Sequence, residues 1–130
     1  MSGIATAELL RTWATRLCSA RSGTPADLAA ALGVPLDPPP PGVLSVHIRG
    51  GDIPLVELEL GDRLPLGDLD RLLGAGNRLP RVDWDRPHVV AFTIAVPRAP
   101  YVCVLLANSD QTPSPTTLVT RVTLRLDRQG

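Results

Sequence analysis

The sequence predicts an α+β fold, in which two or three helices pack on one face of an antiparallel sheet of about five strands and the other face is polar. Two patterns predict it. Apolar residues near the amino end recur every three or four positions, as along a helix with one buried side. Later segments alternate apolar and polar residues with the period of two that a half-buried strand requires. Glycines and prolines separate these segments and mark the turns.

The first predicted helix covers residues 3–21. Its apolar side contains Trp13, Leu17 and Cys18, and its polar side contains charged residues such as Arg11. We therefore expect Trp13 to lie in the core, because it falls inside the apolar stripe.

A second helix is predicted to begin at Thr24, with Pro25 at its first position and Asp27 in a capping-box position, and to end at Gly33. Residues 24–34 resemble the first helix and turn of helix-turn-helix repressors. That family requires a second helix that enters the major groove. Residues 35–42 instead contain four consecutive prolines, which cannot continue a helix. The element that would contact DNA bases is therefore predicted to be missing.

Five strands and a third helix are predicted in the remainder of the chain. The helix covers residues 66–73. The predicted strands are residues 44–48, 56–60, 88–96, 101–107 and 117–127. Glycines in residues 49–52 favour a hairpin between the first two strands. Residues 101–106 are apolar on both sides, which indicates a strand in the middle of the sheet or one with both sides covered.

Composition limits the possible functions. A chain of 130 residues, 44% apolar and 20% charged, is typical of a single folded domain. All thirteen basic residues are arginine, as is typical of a high-GC bacterial genome. The zero net charge does not provide the broad positive field that attracts nucleic acid or anionic lipid. Without an export signal or a membrane-length apolar stretch, we expect a cytoplasmic protein that binds neither nucleic acid nor membrane. Cys18 and Cys103 are expected to be reduced and buried.

The two halves of the chain are alike. Residues 27–33 parallel 68–74, residues 43–48 parallel 89–94, and residues 54–60 parallel 100–106. The pattern indicates two helix–hairpin half-repeats, residues 24–61 and 65–127, or else a chance similarity between common local patterns. Helices with antiparallel hairpins and no catalytic motif resemble the modules of beta-lactamase inhibitory proteins and of small outer-membrane assembly lipoproteins. The lipidated cysteine of the lipoproteins is absent. The resemblance implies a sheet that binds another protein.

One group of candidate partner-binding residues precedes the third strand: Asp83, Trp84, Asp85 and Arg86. Tryptophan and arginine are enriched at interface hot spots. Large aromatic side chains usually bury most of their area, however, which favours Trp84 folded back as a lid over one end of the core. Asp83, Asp85 and His88 are also candidate ligands for a divalent cation. Flanking arginines compete for the carboxylates and no further ligand completes the set, so a metal site is not the favoured interpretation.

A second group lies on the polar side of the first two strands. Its members are His47, Arg49, Glu57 and Glu59, which we expect to share one face with Arg121 and Arg125. Such a mixed-charge face is either simply solvated or a docking surface for a partner with complementary charges.

No phosphate loop, nucleophile elbow or paired-cysteine zinc motif occurs in the sequence. We therefore expect a non-enzymatic protein-binding domain, of the inhibitor, immunity or adaptor type, that uses no cofactor. The alternative is a small-molecule-binding domain or an enzyme with a pocket between the helices and the sheet.

Overall fold

Three helices and six strands form the part of the chain that the computed structural model describes, residues 3–74, 77–78, 88–109 and 111–129. The helices are α1 (Gly3–Leu17), α2 (Pro25–Leu32) and α3 (Leu66–Leu73). The strands are β1 (Val43–Arg49), β2 (Leu55–Pro65), β3 (Asn77–Arg78), β4 (His88–Ala95), β5 (Tyr101–Ser109) and β6 (Leu118–Arg128). The predicted α+β class is confirmed.

Helix α1 buries the apolar stripe that the sequence indicates. Trp13 is 1% exposed and Leu17 is fully buried. The helix ends at Leu17, four residues before the predicted end at residue 21. The chain there turns more tightly, because the amide of Ala20 donates to the carbonyl of Leu17 at 3.0 Å. The carbonyl of Cys18 then accepts a hydrogen bond from the amide of Tyr101 at 3.1 Å, which joins the end of the helix to the sheet.

Helix α2 has the predicted ends. The Thr24 hydroxyl accepts a hydrogen bond from the Asp27 amide at 3.3 Å, and Gly33 adopts the left-handed conformation with φ 72°. Asp27 is too short for the direct return contact of a glutamate capping box. Instead, the Ser22 hydroxyl donates to the Asp27 carboxylate and accepts from the Thr24 amide, so it links the two. Residues 33–42 contain no helix, which confirms that a recognition helix does not follow α2.

The six strands form one sheet in the order β1-β2-β6-β5-β4-β3, and each pair is antiparallel. Strand β5 has neighbours on both sides, as predicted. Strand β3 adds a sixth strand of two residues, which is too short to show an alternating pattern. The strand that comes last in the chain, β6, lies between the β1–β2 hairpin and the β4–β5 hairpin. The β1–β2 hairpin follows α2, and the β4–β5 hairpin comes after α3, as two helix–hairpin half-repeats require. That the two halves arose by duplication stays a prediction.

The core lies between the helices and one face of the sheet. Leu58, Leu105 and Leu124 are fully buried on neighbouring strands, and α1 packs against β2 and β5, which carry the first two. Cys18 and Cys103 are buried free thiols in the same core, as predicted. Their burial raises the pKa of both thiols, because a low-dielectric interior disfavours the thiolate. None of the described helices has the length and apolar character needed to cross a membrane.

Candidate functional site on the open face of the sheet

The face of the sheet opposite the helices carries the side chains that alternate with the buried core positions. We call it the open face. Strand pairing aligns these side chains in rows, since directly opposed residues point to the same side. One row contains Ser45, Glu59, Arg121, Asn108 and Val89 in order across the sheet. The next contains His47, Glu57, Thr123, Leu106 and Ala91.

The charged half of the open face covers β1, β2 and β6. His47 lies opposite Glu57, and Glu59 lies opposite Arg121 on the neighbouring strand. The Arg121 guanidinium donates to the Glu59 carboxylate at 3.5 Å, and both side chains are about half exposed, at 55% and 52%. An ion pair in contact with water contributes little to stability. Changing these charges should therefore alter the stability of the fold only slightly.

The sequence-predicted residues of this half come together in one shallow groove of about 350 Å³. Its lining consists of His47, Ile48, Arg49, Glu57, Leu58, Glu59 and Arg121. The groove thus contains all four members of the group predicted on the first two strands. It adds Arg121, which the sequence places on the same face but which was not among the predicted site residues.

Arg125 marks the boundary between the charged half and the rest of the face. It lies between Leu55 on β2 and Val104 on β5, and its guanidinium donates to the Asp127 carboxylate at 3.2 Å. Its Nε atom is buried and has no hydrogen-bond partner among the described atoms. Among the described residues, this guanidinium therefore has apolar neighbours on two sides and one buried donor without an acceptor.

The other half of the open face is mainly apolar. Five half-buried apolar side chains point outward from β4 and β5, and we call them the apolar row: Val89, Ala91, Val102, Val104 and Leu106. On the same side, Thr93 and Ala95 are exposed and Asn108 is half-buried. The described helices pack on the opposite side, so none of them covers this row. The prediction of a polar open face therefore holds for β1, β2 and β6 but not for β4 and β5. The sequence indicates that residues 101–106 are apolar on both sides, but it does not indicate whether a second layer covers the outer side, and the described helices lie on the inner side.

The remaining predicted site residues are not part of this surface. Asp83, Trp84, Asp85 and Arg86 lie outside the described residues. His88 begins β4 opposite Ser109, on the side of the sheet that faces the helices. Within the described ranges, no group of three or more His, Cys, Asp or Glu side chains is arranged to hold a metal ion. The prediction for Asp83, Asp85 and His88 rests on residues outside those ranges and stays a prediction.

Glu57 and Glu59 are partly exposed and lie opposite basic or polar side chains of the neighbouring strands. The open face thus combines a shallow charged groove with an adjoining half-buried apolar row.

No protein-family model matches the chain, and no significant match was found among curated proteins or solved structures.

Proposed function

We propose that this chain is a non-enzymatic binding domain that docks another protein on the open face of its sheet. The proposal covers inhibitors, immunity proteins and adaptors, whose activity consists of occupying a partner's surface. The observation that carries it is the open face itself, where a charged groove adjoins an apolar row that no described helix covers.

The apolar half supplies a reason for a partner to bind. Val102, Val104 and Leu106 are each only partly buried, although they lie on a strand with neighbours on both sides. Burying apolar surface contributes about 25 cal/mol per Å² removed from water. A partner that covers this row would remove from water the apolar area that the chain's own described helices leave exposed.

The charged half supplies specificity. Charge patterns at an interface select partners more than they add affinity, because opposing like charges costs several kcal/mol. Glu59 and Arg121 form an ion pair, and His47 and Arg49 line the same groove. A partner that docks here must match this pattern. Asp83, Trp84, Asp85 and Arg86 belong to the same proposal as further partner-binding residues.

A small-molecule site between the helices and the sheet receives no support from the described residues. The side chains that meet there are apolar and buried, such as Leu10, Trp13 and Leu105. The buried Ser109 and Thr117 hydroxyls elsewhere in the described chain donate to loop carbonyls nearby. Polar groups that converge on a ligand are what such a site needs.

The test is a double variant that exchanges the charges of Glu59 and Arg121, so that the charge pattern of the surface is reversed while the ion pair can still form. In the double variant Glu59→Arg with Arg121→Glu, the two side chains can still bond each other, so stability should change by less than about 1 kcal/mol. The affinity for the native partner should fall more than about tenfold, because the partner then meets like charges. Co-purification from the native cells, followed by calorimetric titration, measures this loss.

Two further variants complete the test. Leu106→Thr keeps a strand-favouring residue and reduces the apolar row, so it should also weaken the complex. Arg11→Glu changes an exposed residue of α1 and should leave the complex intact. A wild-type chain that is isolated from native cells alone, or a partner that tolerates both open-face variants, would show that the proposal is wrong.

A further inference from the structure

Charge alternates from strand to strand in the charged half of the open face. Strand β1 presents His47 and Arg49, and strand β2 presents Glu57 and Glu59. Strand β6 presents Arg121 and Arg125, and it also carries Asp127, which pairs with Arg125 within the strand. The register opposes these charges directly, with His47 across from Glu57 and Glu59 across from Arg121. Opposite charges at directly paired positions stabilise neighbouring strands.

Strand β1 is where this alternation stops. It is the first strand of the sheet, and β2 is its one neighbour among the described strands. In an antiparallel strand, alternate residues direct their amide and carbonyl groups away from the neighbour. The outer edge of β1 therefore offers main-chain donors and acceptors beside two exposed basic side chains.

The geometry points to β1 as a docking edge for an extended segment of the partner, with acidic residues at alternate positions. The inference rests on the proposed function and names the chemistry of the partner. The segment would add a strand beside β1 through main-chain hydrogen bonds. Its carboxylates would lie on the open face, opposite His47 and Arg49, and would continue the alternation by one strand.

Strand β2 already pairs with β1 in the way that we propose for the partner segment. It already lies antiparallel to β1, and it carries two glutamates at alternate positions with leucines between them. The side chains of β1 on the open face stand about equally far from a strand on either side, because neighbouring strands are evenly spaced at about 4.8 Å. A strand of the same pattern can therefore meet the same side chains from the outer edge.

The same edge disfavours a second copy of this chain. Antiparallel pairing of two β1 strands would oppose the basic residues of one with those of the other, and like charges directly opposite are destabilising.

The test uses a synthetic peptide with the sequence of residues 54–61, PLVELELG, blocked at both ends. Two control peptides carry glutamine in place of both glutamates, or N-methyl groups on alternate amides. Nuclear magnetic resonance of the labelled full chain monitors binding. We expect the glutamate peptide to shift the amides of residues 43–49 and to protect the outward-facing ones from exchange. The glutamine peptide should bind about 2- to 30-fold more weakly, and the N-methylated peptide should not bind.

A charge reversal tests the role of the edge side chains. Arg49 lies opposite Leu55, so Arg49→Glu breaks no ion pair between β1 and β2. This variant should lose affinity for the glutamate peptide and bind a version with arginine in both glutamate positions. Arg11→Glu, which makes the same change of net charge on the exposed side of α1, should behave as the wild type.

The inference is wrong if the peptide shifts residues of β4 and β5 instead of β1, if the glutamine peptide binds equally well, or if the free chain dimerises through β1 in sedimentation. Failure of the proposed function is distinguishable from these results. If the native partner binds the Glu59→Arg, Arg121→Glu double variant more weakly but binds Arg49→Glu normally, the open face is the docking surface and the edge of β1 is not.

Discussion

Replacing Gly50 with alanine tests how the start of α2 is held against the end of the β1–β2 hairpin. A Cβ atom at Gly50 would lie 2.5 Å from Cδ of Pro25 and 2.8 Å from the carbonyl oxygen of Gly23. Ordinary contact begins near 3.4 Å, so Pro25 would have to move by about 0.9 Å. Both neighbours are stiff, since one is a proline ring and the other is backbone that accepts a hydrogen bond from the Gly51 amide.

The expected loss of stability follows from two opposing terms. Overpacking of stiff atoms costs about 2–3 kcal/mol. Alanine also restricts the unfolded chain, which returns about 0.4–1 kcal/mol. Gly50 does not have a positive φ, so backbone strain adds nothing. The free energy of unfolding should therefore fall by about 1–2.5 kcal/mol, which lowers Tm by roughly 3–5 °C per kcal/mol in a chain of this size.

Gly61→Ala is the matched control. Its Cβ would lie 2.9 Å from a methyl carbon of Leu44, but that side chain is 66% exposed and can rotate away. We expect a change within about 0.5 kcal/mol. Urea denaturation of both variants, followed by circular dichroism, measures the difference. Equal midpoints for Gly50→Ala and Gly61→Ala would show that Pro25 and Gly23 do not pack against Gly50 as described.

Three other predictions concern the core and the helix ends. Thr24→Ala removes the cap of α2 and should cost about 0.5–2 kcal/mol in urea denaturation, whereas Thr24→Ser should restore most of it. Leu105→Ala should cost about 2–5 kcal/mol because Leu105 is fully buried, and Leu44→Ala should cost almost nothing in the same assay. The raised pKa values of Cys18 and Cys103 mean that the unfolded chain releases thiol protons at lower pH than the folded chain. Stability should therefore fall as pH rises above about 9, by up to about 1.4 kcal/mol per pH unit and thiol, and the double alanine variant should lose this slope in alkaline denaturation.

The fold was predictable from the sequence where a local pattern determines it. Helix α2 begins and ends at the residues its caps indicate, because Thr24 and Gly33 each satisfy a local backbone need. Helix α3 covers residues 66–73 as predicted. The end of α1 was not predictable in the same way, because the carbonyl of Cys18 bonds the amide of Tyr101, a residue far along the chain that no local pattern connects to the helix.

The candidate site was predictable only in its charged half. Alternation along β1 and β2 assigns His47, Arg49, Glu57 and Glu59 to one face without knowledge of the neighbours. The order of strands decides that Arg121 lies opposite Glu59, and no local pattern contains that order. The apolar half was missed for a related reason. A strand that is apolar on both sides does not reveal whether another layer covers its second side.

The position of β6 between the two hairpins has a consequence for how the molecule is made. A ribosome produces β1, β2, β4 and β5 before the strand that joins them. Until β6 emerges, one long side of β2 and one of β5 lack their native neighbour, and both are open to pairing with foreign strands. We expect the nascent chain to depend on chaperones during this interval. Deletion of β6 should leave two separate hairpins instead of a smaller version of the same sheet.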